Sequence, residues 1–326
     1  MPLDMAALRE ASLPEVVHLR QITVQAIHPL LEEETAEWRD RLRWDFRTSA
    51  ELVRRYVGLR SLAGFALLEG GRVSGYTYLV AERRKGLIGD LYLRSFHEHP
   101  EYQNLLLEAS VRELFEELGT WRIEAQLMML RAKPDWEYPF ASQLRVYPRL
   151  FMSIDAWRIQ ALAPGRAARS ALIMEWRAEQ AEEVAGLIAE AYRGHVDSEI
   201  NDQYQTASGA RRFLTNIMQH SGCGVFFPSA SFVALDAWSG RVMGVSLASL
   251  LAQGSGHITQ ICVAPPVRRR GLGYELLRRS LTALAEAGCN SASLTVTAAN
   301  TQAVDLYRRV GFELVVRFPA LVWERR

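Results

Sequence analysis

A run of apolar and β-branched residues ending at Val263 gives way to Arg268-Arg269-Arg270-Gly271-Leu272-Gly273, and then to strong helix formers. Glycines let main-chain N–H groups come close to an anion. The start of a helix adds unpaired donors and a partial positive charge, and arginines add charge-assisted hydrogen bonds. A diphosphate suits these donors better than a carboxylate does. The segment lacks the Gly-Lys-Ser/Thr of a P-loop and the third spaced glycine of a dinucleotide fingerprint. A short Gly-x-Gly on its own also fits a solvated basic turn, so the residue types leave both readings open.

The wider context adds to this. Arg268–Gly273 resembles motif A of the GCN5-related N-acetyltransferase (GNAT) superfamily, Gln/Arg-x-x-Gly-x-Gly/Ala, with Val263-Ala264-Pro265 leading in and Tyr274-Glu275-Leu276-Leu277 leading out. Further on, Asn300 through Tyr307 to Gly311-Phe312 resembles the family's motif B. The resemblance covers roughly residues 171–326. It implies that the strand before motif A splays from its neighbour, and that acetyl-CoA is the co-substrate. The backbone around Ile261, Cys262 and Val263 would then receive the thioester and pantetheine. Arg268, Arg269, Arg270, Gly271, Leu272 and Gly273 would hold the pyrophosphate. Asn300 would touch the pantetheine, or cap the motif B helix, a role its side chain fits equally.

Acetyl transfer to an amine requires a neutral nucleophile and a proton for the leaving thiolate. By the resemblance, Tyr307 is the general acid; by its spacing alone it is equally an aromatic packed on a sheet. Members of the family often place a glutamate on the motif A strand. Here that strand offers His257, Thr259 and Gln260, and no carboxylate. The acidic run from His195 to Asp202 lies in the substrate-facing region, and Glu199 is taken as the second catalytic residue, with Asp197 and Asp202 as alternatives and a solvated capping loop as the plain reading. His195 and His257 are weaker candidates for the base. Cys223 has no linked base and orienting group, so it is not read as a nucleophile.

These residues need elements to hold them. Apolar positions at helical spacing predict helices over 11–28 and 31–60, broken at His28-Pro29. Strands at 65–68 and 73–80 flank Gly70-Gly71, a hairpin signal. A strand at 88–93, a helix at 102–118 and a strand at 121–129 come next, and 146–154 closes the first half. A linker is expected at 163–169. The order then repeats: strand 171–176, helices 179–192 and 210–218, strands 231–235, 242–250 and 257–263, helix 273–287, strand 293–297, helix 301–310 and strand 312–323. A repeated grammar constrains a fold more than any single element does. The expected class is α/β (α+β): two tandem GNAT-like domains, each a mixed, mostly antiparallel sheet flanked by helices, at 1–160 and 171–326. The first is expected to be degenerate, because the counterpart of the glycine loop is Phe96 to Gln103, which has neither the glycines nor the arginines and carries Glu98 and Glu101.

Length and charge set the outer limits. The chain has 326 residues, 49% hydrophobic, and a net charge of +1, which argues against a nucleic-acid partner. No long uncharged apolar run predicts a membrane span, and no signal peptide is read at the N-terminus. Three scattered cysteines suit a reducing cytoplasm better than a disulfide framework, and His97 and His99 lack further ligands for a metal. The expected activity is acetyl transfer to the primary amine of a small molecule, in a cytoplasmic protein for which a homodimer is open. A protein amino group as acceptor, or a non-catalytic acetyl-CoA-binding regulator, is the alternative.

Overall fold

The computed structural model describes residues 14–94, 100–130, 136–165, 167, 172–220, 222–252 and 254–325. They form two compact units, and neither is a continuous stretch of chain. The first comprises residues up to 38, 46–146 and 318–326; the second comprises 39–45 and 147–317.

In the first unit the strands are β1 (Glu15–His18), β2 (Ala63–Glu69), β3 (Arg72–Glu82), β4 (Lys85–Leu93) and β5 (Arg122–Gln126). They lie side by side in that order, and the end of β13 (Glu313–Glu324) then pairs antiparallel with β5. Helices α1 (Val24–Leu42), α2 (Arg47–Gly58) and α3 (Pro100–Arg112) accompany them. The Gly70-Gly71 hairpin forms with both glycines at positive φ, as a turn matched to strand twist requires. Two expectations fail here. His28-Pro29 does not break a helix: α1 runs through Pro29. Proline in the second turn removes a single i→i−4 bond, while Ile27, Leu30 and Leu31 are all fully buried. Among the described residues of the predicted 11–28 helix, 15–21 form β1 and a short 3₁₀ turn, and only 24–28 are α-helical, as the start of α1.

In the second unit the strands are β6 (Leu144–Asp155), β7 (Leu172–Glu175), β8 (Val225–Phe226), β9 (Phe232–Leu235), β10 (Val242–Ala252), β11 (Ser255–Val263) and β12 (Ser291–Thr297). Their order is β6-β12-β11-β10-β9-β7, with β8 added to β10. All pairings are antiparallel except β11–β12. Helices α4 (Ala156–Gln160), α5 (Ala181–Ala191), α6 (Val196–Ile200), α7 (Ala207–Gln219), α8 (Leu272–Glu286) and α9 (Thr301–Val310) cover it. On α8, Leu276, Leu277, Leu281 and Leu284 are fully buried, the three-and-four spacing that places one stripe against a sheet. Leu277, Leu281 and Leu284 pack with Leu294 and Val296 of β12 and with Val304 and Tyr307 of α9, and Leu276 packs with Ile173 and Ala234. Val184, Leu187 and Ile188 of α5 form a second core on the opposite side with Val245 and Cys262.

The α/β class, with helices flanking mostly antiparallel sheets, is therefore as the sequence implied. Chain order and packing, however, disagree about the domains. Residues 147–155 precede the 160/171 boundary yet pair with β12, and residues 320–324 lie beyond it yet pair with β5. Each unit takes its final strand from the other half of the sequence.

Candidate active site

Two backbone irregularities build the site. In the β10–β11 ladder Leu247 faces Gln260 and Ala248 faces Ile258, so Thr259 is an extra, bulged residue. Bulges re-aim a strand and often stand beside functional sites. Parallel pairing of β11 with β12 runs only from Ser255–Ser291 to Ile258–Leu294. Beyond that point the strands part, and Thr259 to Val263 run free of β12. Ile261 and Val263 are half-buried, whereas Cys262 is buried.

The parted strand leads into the glycine loop. Arg269 has φ 63° and Gly271 φ 86°. Left-handed residues set among right-handed ones turn successive N–H groups to one side, as in an anion-binding nest. A Cβ on Gly271 would meet nothing within 4 Å, and one on Gly273 would lie 3.6 Å from Val263 Cγ2, so the loop borders open space. Gly271 caps α8 without a side chain. The helix's first N–H groups, which have no intrahelical acceptor, thus remain for a ligand. These residues fit a diphosphate. The carboxylate in the first turn, Glu275, is fully buried. Burial would raise its pKa, but hydrogen bonds from Arg278, the Gly165 N–H and Arg279 hold it below the usual carboxylate range. Its charge is thereby neutralised away from the loop.

The predicted loop residues divide by what their side chains do. Leu272 and Cys262 are core, and burial pushes the Cys262 thiol up to about 12, so only their backbones face a ligand. Arg269 and Arg270 are exposed. The Arg268 guanidinium is already engaged, donating to the carbonyls of Ala191 (2.7 Å) and Val263 (3.1 Å).

Asn300 N-caps α9, accepting from the Ala303 N–H at 3.3 Å, and Gly311 ends the helix at φ 108°. Between these caps Val304, Tyr307 and Val310 face inward. The Tyr307 ring lies 5.8 Å from that of Phe312. Among the described residues nothing hydrogen-bonds its hydroxyl. Burial, then the Asp197 charge, raises its pKa, with Arg149 opposing, so the phenol keeps its proton.

Facing Tyr307 is a polar cluster assembled from three segments. Asp197, on α6, accepts a hydrogen bond from Thr297 Oγ1 and lies 3.4 Å from Arg149 Nη1. Arg149 Nη2 also reaches Thr295 Oγ1 at 3.3 Å. Tyr192 stacks on Tyr204 at 4.6 Å and meets His195 edge-on at 5.3 Å. The structure turns Asp197 inward. Glu199 is exposed and accepts from the Tyr147 hydroxyl at 2.7 Å. His195 caps α6: its Nδ1 accepts the Asp197 N–H. His257 lies in a closed cage, Nδ1 at 2.9 Å from Ser293 Oγ and its ring 5.3 Å from Trp44 and 6.2 Å from Phe151. Burial pulls its pKa down to about 3. It is a structural histidine and reaches no substrate.

Arg149 was missed by sequence reasoning because it stands in the half of the chain assigned to the other domain. The first half's counterpart loop, with His97, Glu98 and His99, lies mostly outside the described residues. Among those described, no three His, Cys, Asp or Glu residues gather as metal ligands, and no helix is long and apolar enough to cross a membrane.

With this geometry in view, comparison with known proteins is specific. The model of the acetyltransferase (GNAT) family matches residues 195–312, from the capping histidine of α6 to the end of motif B. The matched stretch, residues 195–312, is thus similar to a GNAT acetyltransferase domain. Among curated relatives, a mycothiol acetyltransferase of Corynebacterium jeikeium is 38% identical over 61 residues, 19% of this chain and 18% of that protein. The N-alpha-acetyltransferase MAK3 of Arabidopsis thaliana is 39% identical over 57 residues, 18% and 30% of the two chains. A mycothiol acetyltransferase of Thermobifida fusca is 35% identical over 109 residues, 31% and 34%. The matches thus span 18 to 34% of these relatives' lengths. Over nearly the whole chain the GNAT fold recurs in solved structures. A GCN5-related N-acetyltransferase from Sphaerobacter thermophilus has TM-score 0.64 at 18% identity, covering 96% of this chain and 95% of that one. A tandem GNAT protein from the clavulanic acid biosynthesis pathway has TM-score 0.58 at 16% identity, covering 96% and 98%. The tandem arrangement of the fold is thus shared; at such identities the likeness concerns the fold alone.

Proposed function

We propose that the second unit transfers the acetyl group of acetyl-CoA to the primary amine of a small molecule by direct attack in a ternary complex. The observation that carries this reading is the parting of β11 from β12 where it leads into the glycine loop, with an unpaired, protonated Tyr307 hydroxyl beside the gap. The mycothiol acetyltransferases among the curated relatives support a small-molecule acceptor, while the N-alpha-acetyltransferase MAK3 supports the polypeptide alternative.

In this reading acetyl-CoA supplies an acyl group activated as a thioester. The backbone N–H groups of residues 269–274 hold its diphosphate, and free main-chain groups near Ile261 and Val263 orient the acyl carbonyl, as preorganised donors do for developing negative charge. Tyr307 donates the proton that the departing sulfur needs. Asp197, its rotamer fixed by Arg149 and Thr297, orients the amine, and the proton that the amine loses passes to solvent. Glu199, held by Tyr147 at the surface, lies outside that cluster. The first unit is read as degenerate. It repeats the bulge, at Gly89, and the short parallel pairing, from Lys85–Arg122 to Ile88–Ala125. Yet Leu91, Tyr92 and Leu93, where Ile261 to Val263 stand in the second unit, are all buried, which leaves no open strand for a pantetheine.

A panel of small amines and N-terminal peptides, assayed with acetyl-CoA by thiol release, tests the proposal. Turnover confined to small amines is the expected result. Turnover of peptides alone would move the acceptor to a polypeptide α-amine, and coenzyme binding with no turnover on either set would leave a non-catalytic binder.

A further inference from the structure

We infer that Arg268 is a positioning residue that anchors the acceptor-side segment of the second unit, rather than a ligand of the diphosphate. The inference rests on the proposed coenzyme binding for the identity of the loop, and on geometry for the residue's role.

Arg268 opens the anion loop, and a free guanidinium there would be a natural phosphate ligand. It is not free. Its Nη2–H donates to the Ala191 carbonyl at 2.7 Å and its Nε–H to the Val263 carbonyl at 3.1 Å. Ala191 is the last residue of α5. The carbonyls of a helix's final turn have no intrahelical donor, and a cation there is favoured by the helix dipole. Arg268 thus satisfies an orphan acceptor and ties the end of α5 to the end of β11.

The residues just beyond Ala191 give this tie a purpose. Tyr192, the C-cap of α5, stacks on Tyr204 and abuts His195. His195 caps the short α6 that presents Asp197. Gly194, at φ 70°, and a five-residue helix are weak supports on their own. Among the described residues, the Arg268 clamp is the side-chain hydrogen bond that fixes the start of this segment to the strand bearing the acyl site. In the first unit the same strand end is tied to the first helix differently, by Arg94 3.2 Å from Glu33.

The test uses the full-length chain and coenzyme A as probe. In Arg268→Gln, the affinity for coenzyme A should stay within about threefold of wild type, because the phosphate donors are backbone groups. Amide hydrogen exchange in peptides covering 189–206 should quicken by about tenfold or more, the scale of one lost charge-assisted bond. Arg268→Lys, which keeps the charge but lacks the fixed fork of the guanidinium, should fall between. Kinetically, the acceptor KM should rise while that for acetyl-CoA holds. A coenzyme affinity reduced by about thirtyfold with unchanged exchange in 189–206 would make Arg268 a phosphate ligand. No change in either quantity would overturn the inference too, as would equal loss of affinity in both variants. Failure of wild type to bind coenzyme A would instead sink the coenzyme reading, and the exchange comparison would still decide the clamp.

Discussion

In the proposed mechanism Tyr307 separates catalysis from binding at the level of one atom. Its ring belongs to the core and its hydroxyl has no protein partner among the described residues, so Tyr307→Phe removes a proton donor and almost nothing else. Turnover should fall by about 100-fold, the low end for a general acid. Coenzyme affinity should hold, because the bond matters mainly in the transition state. Parallel turnover and calorimetric measurements check this; unchanged turnover would make Tyr307 a packing residue. The motif marked this residue as a candidate, and the glycine loop with it. Other parts of the site were not legible, for a physical reason. Asp197, Glu199 and Asp202 look alike as a string, and only the pairing of Asp197 with Thr297, 100 residues away, shows which one turns inward. Arg268 reads as a ligand by type, and its bonds to the Ala191 and Val263 carbonyls could not be read from the string, because residue type carries no information about which acceptor a guanidinium finds.

Among the elements, the two units carry buried titrating groups of opposite sign. In the first, Glu34 of α1 accepts from Tyr76 at 2.7 Å and from Trp38 at 3.2 Å, and it lies against Asp90 of β4. Burial raises both carboxyls, Asp90 to about 6 and Glu34 well above its usual range, with Asp90's charge adding to the latter. The folded unit therefore holds more protons than the unfolded chain from about pH 4 to 6 and beyond, and its stability falls as pH rises through that window. In the second, His257 is depressed from 6.5 to about 3, so the folded form binds fewer protons there and stability falls as pH drops from about 6.5. Hydrogen exchange should show β3–β4 loosening with rising pH and β11 loosening with falling pH. Asp90→Asn should flatten the first trend and leave the second. Parallel trends in the two units would refute this assignment. Strands and long helices were legible from periodicity, since each is a local pattern. Pro29 misled because its cost is one hydrogen bond, and the burial that outweighs it comes from tertiary packing.

For the molecule as a whole, chain order was a poor guide to units. A strand pattern says that 144–155 and 313–324 are strands, but not which neighbour each will find, since pairing is a long-range choice. The consequence is measurable. A fragment of residues 171–326, cut at the apparent linker, lacks β6 and with it Arg149 and the cover for β12. It should show little cooperative unfolding by circular dichroism and bind no coenzyme A, whereas the full chain should do both. A well-folded, coenzyme-binding 171–326 fragment would show β6 to be dispensable.

The same exchange of strands sets a timetable for synthesis. The ribosome delivers the first unit's other strands early, but residues 318–326, which cover β5, only after the second unit's sequence has emerged. Throughout that interval β5 presents an unpaired edge, and such edges invite pairing with other chains. Slow or interrupted translation should therefore harm this protein out of proportion to its length. The two halves also cannot be recombined separately with other partners: each inherits its last strand from its sibling, so the pair is passed on together or lost together.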